Sequence, residues 1–333
     1  MHKIIIICCY FGKMPPYFPA WVISCEKNPT IDYLLVTDQT VSDLPGNIVC
    51  KKSSLAQIRE STKTILGFEP QLRTAYKLCD YKVLYGLLFQ EYCVGYDFWG
   101  HCDMDMVFGD LRQFLTEDVL KSNDRIYPYG HLALYRNTEE CNRRFMQKGS
   151  PFSYQKVFTS NEIFFFDERC YMQICAKNGY PCYDRVEMAD IRTRYRRFCV
   201  HENLKNYKRQ LFLWHKGHVF RIYAEDGDEN GDTLYEEEFP YIHFKRRLHM
   251  QENIQKSGMN ECEMFREQLD GKYGFGISDQ GFIILSEKPG IKMIEQYNPY
   301  QGSAIEVLES LSYLIKSKWK HINVKLRKII RSI

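Results

Sequence analysis

The sequence predicts an α/β protein built on a Rossmann-type sheet, and two observations carry this prediction. Residues 3–9 (KIIIICC) and residues 31–36 are continuous runs of β-branched and apolar residues, which are typical of strands covered on both faces. A short helical pattern at residues 20–26 lies between them, so the three segments read as a βαβ unit. In such a unit, polar residues at the carboxyl ends of the strands line a binding crevice.

Composition limits the class of protein. The 333 residues suffice for one large core or two smaller ones, and a net charge of +3 is too small to indicate a nucleic acid partner. The 13 cysteines are odd in number and include no Cys-x-x-Cys pair, which predicts reduced thiols in a cytosolic protein. No apolar run approaches the ~20 residues needed to cross a bilayer. The apolar run near residue 3 is too short for the hydrophobic region and cleavage site of a signal peptide. We therefore expect a cytoplasmic protein.

The remaining segments alternate between strand and helix patterns. Helices are predicted at residues 53–65, 71–92, 111–121, 138–147 and 168–178. Strands are predicted at residues 48–51, 125–129, 131–136, 161–166, 219–223 and 238–244, with a loop at residues 184–197.

The most informative stretch is residues 98–109, FWGHCDMDMVFG. Asp103 and Asp105 point to the same face if they lie on a strand, because side chains alternate with a period of two. Two carboxylates held this close repel each other, and a divalent cation between them relieves the repulsion. Most Asp-x-Asp tripeptides are solvated loop residues, but apolar neighbours on both sides argue against an exposed loop. The stretch therefore predicts a site for a hard metal ion.

A third metal ligand is predicted on a late strand. His243 lies within YIHFK, and Lys245 follows two residues later on the same face, where it is placed to contact a phosphate. Imidazole suits Mn²⁺ better than Mg²⁺, and both ions remain candidates. The alternatives are that His243 is an ordinary core residue, or that His101 supports the ligands from behind.

The C-terminal segment differs from the rest of the chain. The sequence divides into a body at residues 1–250, an extension at 251–310 and a basic amphipathic helix at 311–333. In the last segment, apolar residues that include Ile315 and Trp319 recur between lysines and arginines, which suits an anionic membrane surface. The alternative is a helix docked on the body with a solvated basic face.

Four blocks of the sequence carry a family resemblance. QLRTAYKLCDYKVLYG, FWGHCDMDMVFGDLRQFL, HLALYRNTEECNRRFM and YIHFKRR resemble an uncharacterised, glycosyltransferase-like family from bacterial capsule and polysaccharide biosynthesis clusters. The likeness covers roughly residues 1–250 and extends to GT-A-type glycosyltransferases. It implies a GT-A-like, nucleotide-binding catalytic domain with an Asp-x-Asp strand end, followed by a C-terminal helical extension.

The resemblance also implies residue roles. Asp103 and Asp105 are implied metal ligands and His243 the third, with Lys245 on the phosphates. Asp167 and Glu168 are implied to act catalytically, where contacts to the acceptor or the donor sugar are usual. The nucleotide-sugar donor is implied to contact Tyr10, Phe11, Asp38, Lys77, Asp80 and Lys82.

The function expected from these features is transfer of a hexose from a nucleotide sugar, of the UDP-sugar type, to a polysaccharide or lipid-linked oligosaccharide. The reaction is expected to depend on Mn²⁺ or Mg²⁺ and to occur at the inner face of the membrane. A metal-dependent phosphohydrolase is one alternative, although such sites gather more carboxylates and histidines around two metals. A non-catalytic protein that binds sugar nucleotides is the other.

Overall fold

The computed structural model describes residues 1–201, 204–227, 233–313 and 315. Within these residues the strands are β1 (Ile4–Cys9), β2 (Ile31–Thr37), β3 (Ile48–Lys52), β4 (Phe98–Cys102), β5 (Met106–Phe108), β6 (Arg125–Ile126), β7 (Leu132–Arg136), β8 (Cys182–Tyr183), β9 (Ala189–Asp190), β10 (Arg209–His215), β11 (His218–Ala224), β12 (Tyr235–Phe239), β13 (Tyr241–His243), β14 (Gly274–Ser278) and β15 (Gly281–Leu285).

The α-helices of the described residues are α1 (Phe18–Glu26), α2 (Leu55–Leu66), α3 (Tyr85–Leu88), α4 (Gln90–Cys93), α5 (Leu111–Phe114), α6 (Glu117–Ser122), α7 (Glu139–Arg143), α8 (Tyr154–Thr159), α9 (Tyr171–Asn178), α10 (Leu248–Ser257), α11 (Cys262–Leu269) and α12 (Ile291–Tyr297). A further helical stretch covers residues 303–313. Ala75–Leu84 and Arg144–Met146 form 3₁₀ helices, and Phe166–Cys170 forms a π-helical turn.

A seven-stranded sheet with the order β3-β2-β1-β4-β7-β6-β8 lies in the middle of the fold. Strand β1 pairs in parallel with β2 and β4, and β4 pairs antiparallel with β7. Alternate residues of β1 enter two different cores: Ile4 and Ile6 lie in one, Ile5 and Ile7 in the other. A strand buried on both faces is what its unbroken apolar run predicts. The predicted mixed α/β class is therefore confirmed.

Two smaller sheets join the central one. Strands β12-β11-β10-β14-β15 form an antiparallel sheet, and β5-β13-β9 form a three-stranded sheet. Only Pro240 separates β12 from β13, so one stretch of chain contributes to both. The boundary predicted at residue 250 falls inside the segment that builds the antiparallel sheet, and the division into domains stays a prediction.

Part of the extension, around residues 298–306, packs on the body. The amide side chain of Asn298 accepts a hydrogen bond from the Phe198 N–H at 2.7 Å, and Arg197 pairs with Glu306 at 2.8 Å. The predicted extension was helical, whereas the structure adds the β14–β15 hairpin to its helices. Among the described residues, no helix combines the length and apolarity that crossing a bilayer requires. The predicted basic helix at 311–333 lies almost wholly outside the described residues.

The long amphipathic helix predicted at residues 71–92 is wrong as a single element. The chain instead forms the 3₁₀ helix Ala75–Leu84 and the short helices α3 and α4. Apolar spacing of three and four residues is compatible with both helix types, because i and i+3 are neighbours in each.

Other differences concern short elements. The strand predicted at 161–166 is absent from the described structure, where an irregular segment leads into the π-helical turn. The helices predicted at 111–121 and 138–147 are each broken in two. The loop predicted at 184–197 contains β9, and β10, β14 and β15 were not predicted.

Candidate active site

A cleft of about 370 Å³ opens where β1 and β4 end. Parallel neighbours in a sheet end at the same edge, which is where the crevice of an open α/β sheet lies. The predicted site residues that line the cleft are Lys82, Asp103, Asp105, Asp167, Glu168, His243 and Lys245.

Three of these side chains converge on one point. Asp103, Asp105 and His243 each offer a ligand atom, and these atoms all lie within 4.8 Å of one another. The two aspartates lie in the bend between β4 and β5 and not on a strand, so the bend, and not strand alternation, brings them together. The backbone N–H of Asp103 donates to the carbonyl of His131 at 2.9 Å, which fixes this bend to the loop before β7.

The three-stranded sheet positions His243. In its register, His243 lies opposite Met106 of β5, the residue after Asp105, and opposite Asp190 of β9. Its Nδ1 is 2.8 Å from an oxygen of Asp190, and its Nε2 is 3.7 Å from an oxygen of Asp105. Burial lowers the pKa of His243, but the two carboxylates outweigh burial and raise the pKa to about 9.

This donor set fits a divalent cation. Two carboxylates and one imidazole suit Mn²⁺, and a carboxylate that holds the far nitrogen of a ligating histidine is the usual support of such a ligand. A second group, His131, Asp190 and His243, also lies within ligand distance, but it shares His243 and only that residue lines the cleft. We therefore assign the candidate cation site to Asp103, Asp105 and His243, with Asp190 behind them.

Replacing Asp190 with asparagine is expected to lower Mn²⁺ affinity by about 10- to 100-fold, the usual cost of removing the group that orients a ligand. Asparagine keeps the shape of the side chain but loses the charge that fixes the tautomer and ring orientation of His243. Calorimetric titration of the purified protein with Mn²⁺ measures the effect.

Asp279 provides a matched control for this variant. It also pairs with a histidine, His249 at 3.1 Å, but it lies outside the cleft. Asp279→Asn should bind Mn²⁺ as the unmodified chain does. Equal affinities for Asp190→Asn and the unmodified chain would remove Asp190 from the site.

A second cluster of charges adjoins the first. Lys82 donates to Asp103 at 2.6 Å and lies 3.7 Å from Asp167, and both carboxylates raise its pKa against the effect of burial. Burial raises the pKa of Asp167 to about 7, although Lys82 opposes this. Within the described structure, Oδ1 of Asp167 is buried without a hydrogen-bond partner. Such an atom beside an open cleft is available to a ligand hydroxyl.

Gly130 makes this cluster possible. Its carbonyl accepts from Lys82 at 2.8 Å, and its N–H donates to Glu168 at 3.1 Å. A Cβ at this position would lie only 2.3 Å from an oxygen of Asp167. The position therefore needs glycine for the close approach of the backbone.

Lys77 and Asp80 do not line the cleft, which contradicts the expectation that they contact the donor. Both are fully buried, and Lys77 donates to Asp80 at 2.7 Å. Lys77 also donates to the carbonyls of Val157 and Glu162, so the pair is committed to internal contacts.

The other predicted donor contacts follow strand ends. Tyr10 and Phe11 come directly after β1, and Asp38 directly after β2. Asp38 accepts from the N–H of Gly12 at 2.9 Å, which joins the two strand ends. The guanidinium of Arg246 lies 5.7 Å from the centre of the Tyr10 ring. Their contact with a donor stays a prediction.

Sequence reasoning missed Asp190, Gly130 and Arg246. Asp190 lies in the apolar run Met188–Ile191, the same pattern of an aspartate among buried residues that drew attention to Asp103 and Asp105. Arg246 follows Lys245 directly, and both line the cleft; Lys245 also donates to Asp190 at 3.1 Å. In the described structure His101 forms no hydrogen bond to a ligand: its Nε2 lies 3.3 Å from the hydroxyl of Tyr135, and its Nδ1 has no partner.

The fold and cleft define a mixed α/β protein with a candidate cation site at the edge of its main sheet. The chain belongs to the family of unknown function DUF6625, whose model matches residues 6–272. No curated protein matches the sequence.

Similar solved structures include two glycosyltransferases. One is the galactosyltransferase LgtC in complex with donor and acceptor sugar analogues, at 12% identity and a TM-score of 0.36, covering 56% of this chain and 75% of that chain. The other is mouse xyloside xylosyltransferase 1 in its apo form, at 8% identity and a TM-score of 0.39, covering 56% and 87%. Since both TM-scores are below 0.5, the function proposed next depends on the side chains of the cleft.

Proposed function

We propose that this protein is a metal-dependent glycosyltransferase. It transfers a hexose from a nucleotide sugar, in the first place a UDP-sugar, to a polysaccharide or lipid-linked oligosaccharide. The observation that carries the proposal is the convergence of Asp103, Asp105 and His243 within 4.8 Å at the wall of an open cleft.

The charge of the cleft suits a diphosphate. A nucleoside diphosphate leaves with negative charge, and a bound Mn²⁺ or Mg²⁺ supplies the electrostatic stabilisation of that charge. Asp103, Asp105 and His243 would hold the cation, and a small protein ligand set leaves coordination positions for phosphate oxygens. Lys245 and Arg246 also line the cleft and add positive charge.

The sugar side of the reaction falls to the second cluster. Asp167 and Glu168 both lie against Gly130, and Lys82 connects Asp167 to Asp103. In the proposed reaction these carboxyl groups bind sugar hydroxyls and orient them relative to the diphosphate. The unpartnered Oδ1 of Asp167 supports this role, because a buried acceptor without a partner costs free energy until a ligand donates to it.

A two-metal phosphohydrolase is less well supported. That chemistry uses two cations about 3.5–4 Å apart, each with its own ligands. In the part of the chain that the structure describes, both candidate clusters need His243, so they compete for one imidazole.

The proposal is tested by incubating the full chain with Mn²⁺ and a panel of UDP-, GDP- and dTDP-hexoses, and measuring binding and nucleotide release. We expect at least one donor to bind and to be hydrolysed slowly in the absence of acceptor. Chelation with EDTA should abolish both effects, and added Mn²⁺ should restore them. Failure of every donor to bind, or full activity in EDTA, would contradict the proposal.

We further propose that the protein associates with the cytoplasmic face of an anionic membrane. Val307, Leu308 and Leu311 are at least half exposed, and their spacing places them on one side of the helix at 303–313. The lysines and arginines between residues 316 and 331 supply the matching charge. The unmodified chain should sediment with phosphatidylglycerol vesicles but not with phosphatidylcholine vesicles, and Leu308→Glu should weaken this binding. Equal binding to both vesicles would refute it.

A further inference from the structure

Phe165 has an unusual backbone and an exposed ring. Its φ and ψ angles are both 50°, in the left-handed region that bulky side chains seldom adopt. Its side chain lines the cleft and the residue is 49% exposed. A large aromatic residue thus combines a strained backbone with a ring in solvent, two features that each cost free energy.

Hydrogen bonds to a buried carboxylate stabilise the strained backbone of Phe165. The carboxylate of Asp80 accepts from the N–H of Phe164 at 3.1 Å and from the N–H of Phe166 at 2.9 Å, on either side of Phe165. Lys77 neutralises this carboxylate inside the core. Phe166 is fully buried, and Phe164 packs on Phe152 with ring centres 4.8 Å apart. The buried pair therefore fixes both neighbours inwards and turns Phe165 into the cleft.

The surroundings of the ring indicate what it binds. Glu168, three residues further along the chain, lines the same cleft, and so does Tyr76, which is 59% exposed. A cleft that holds both an aromatic face and a carboxylate suits a pyranose ring, whose C–H face packs on the aromatic ring while its hydroxyls donate to the carboxylate. A hydrocarbon chain is disfavoured, because it would cover the charged groups of Asp103 and Arg246 without pairing them.

We propose that Phe165, assisted by Tyr76, is the platform that binds a sugar ring of the acceptor. The proposal rests on the proposed glycosyltransferase function and deepens it: the group that receives the hexose belongs to a saccharide, and the aromatic wall positions it beside Asp167 and Glu168. Phe165 acts by binding and takes no part in the chemical step.

Saturation-transfer NMR with defined sugars tests this proposal. The probes are methyl β-D-glucopyranoside, methyl β-D-galactopyranoside and methyl β-lactoside, each added to the full chain with UDP and Mn²⁺. We expect saturation to reach the C–H protons of at least one probe. Phe165→Ala should reduce this signal at least fivefold, and Phe165→Tyr should retain it. The affinity for UDP should be the same in all three proteins.

Phe165→Gly separates binding from folding. Glycine adopts the left-handed region without strain, so this variant should melt at the same temperature as the unmodified chain or higher. It should nevertheless lose the sugar signal, as the alanine variant does.

Each other outcome has one meaning. Absence of signal from all three probes with the unmodified chain, or an undiminished signal in Phe165→Ala, would overturn the platform while leaving UDP binding, and hence the proposed function, in place. A fall in UDP affinity in Phe165→Ala would show that the ring serves the donor, and would also overturn the platform. Failure of the unmodified chain to bind any nucleotide sugar would instead overturn the proposed function.

Discussion

Replacing Asp105 with asparagine is expected to lower Mn²⁺-dependent turnover of the nucleotide sugar by more than about 100-fold. Removing a group that only orients a metal ligand already lowers metal affinity or activity about 10- to 100-fold. Asp105 belongs to the candidate ligand set itself, so its loss should lower turnover further. It is 7% exposed, so bulk water does not replace the lost charge. Initial rates measured against Mn²⁺ concentration give the size of the effect and show whether excess Mn²⁺ restores activity.

Asp118→Asn is the control for this change. Asp118 lies in the first turn of α6, is exposed and does not line the cleft, so its variant should keep normal turnover. Thermal melting of both variants shows whether either has lost its fold. Turnover of folded Asp105→Asn equal to that of Asp118→Asn would refute the candidate cation site.

Replacing Asp80 with alanine is expected to lower the free energy of unfolding by about 3–5 kcal/mol, the usual cost of breaking a buried ion pair from one side. The change leaves the ammonium of Lys77 buried without its carboxylate. It also removes the acceptor of the Phe164 and Phe166 N–H groups. Equilibrium unfolding in urea measures the loss.

The chain contains an exposed ion pair that serves as a control. Lys63 lies 3.0 Å from Glu69, and both side chains are about half exposed. Exposed pairs contribute little to stability, because water already stabilises the separated charges. Glu69→Ala should therefore leave the unfolding curve nearly unchanged. If Asp80→Ala unfolds at the same urea concentration as the unmodified chain, the buried Lys77–Asp80 pair does not stabilise the structure around the cleft.

Burial explains which parts of the fold were predictable. Strands β1 and β2 are buried on both faces, and their apolar runs report this directly. The same signal placed Asp103 and Asp105 at the end of a buried strand, since apolar residues on both sides of an acidic pair are hard to explain in a solvated loop. His243 was found for the related reason that it lies on a short strand among apolar residues. Lys245 was expected on the same face of that strand, but β13 ends at His243 and Lys245 follows it with a φ of 63°.

Long-range contacts explain what could not be predicted. The partners of Lys77 include the carbonyls of Val157 and Glu162, which are 80 and 85 residues away in the sequence. A local pattern cannot show such contacts, because only the folded chain brings these carbonyl groups to the ammonium of Lys77. Asp190 was missed for the same reason: β9 is only two residues long, and its pairing with His243 exists only once β13 is in place.

The continuity of β12 and β13 makes the cation site depend on a distant part of the fold. Residues 235–239 pair with β11, and after Pro240 the same stretch places His243 between Met106 and Asp190. The indole of Trp214 in β10 also donates to the carbonyl of Phe108 at 3.1 Å. The strands β10, β11 and β12 of the antiparallel sheet thus help to hold the imidazole of His243 in place. Amide protons of β11 and β13 should accordingly exchange with deuterium as one cooperative unit, at matching opening free energies.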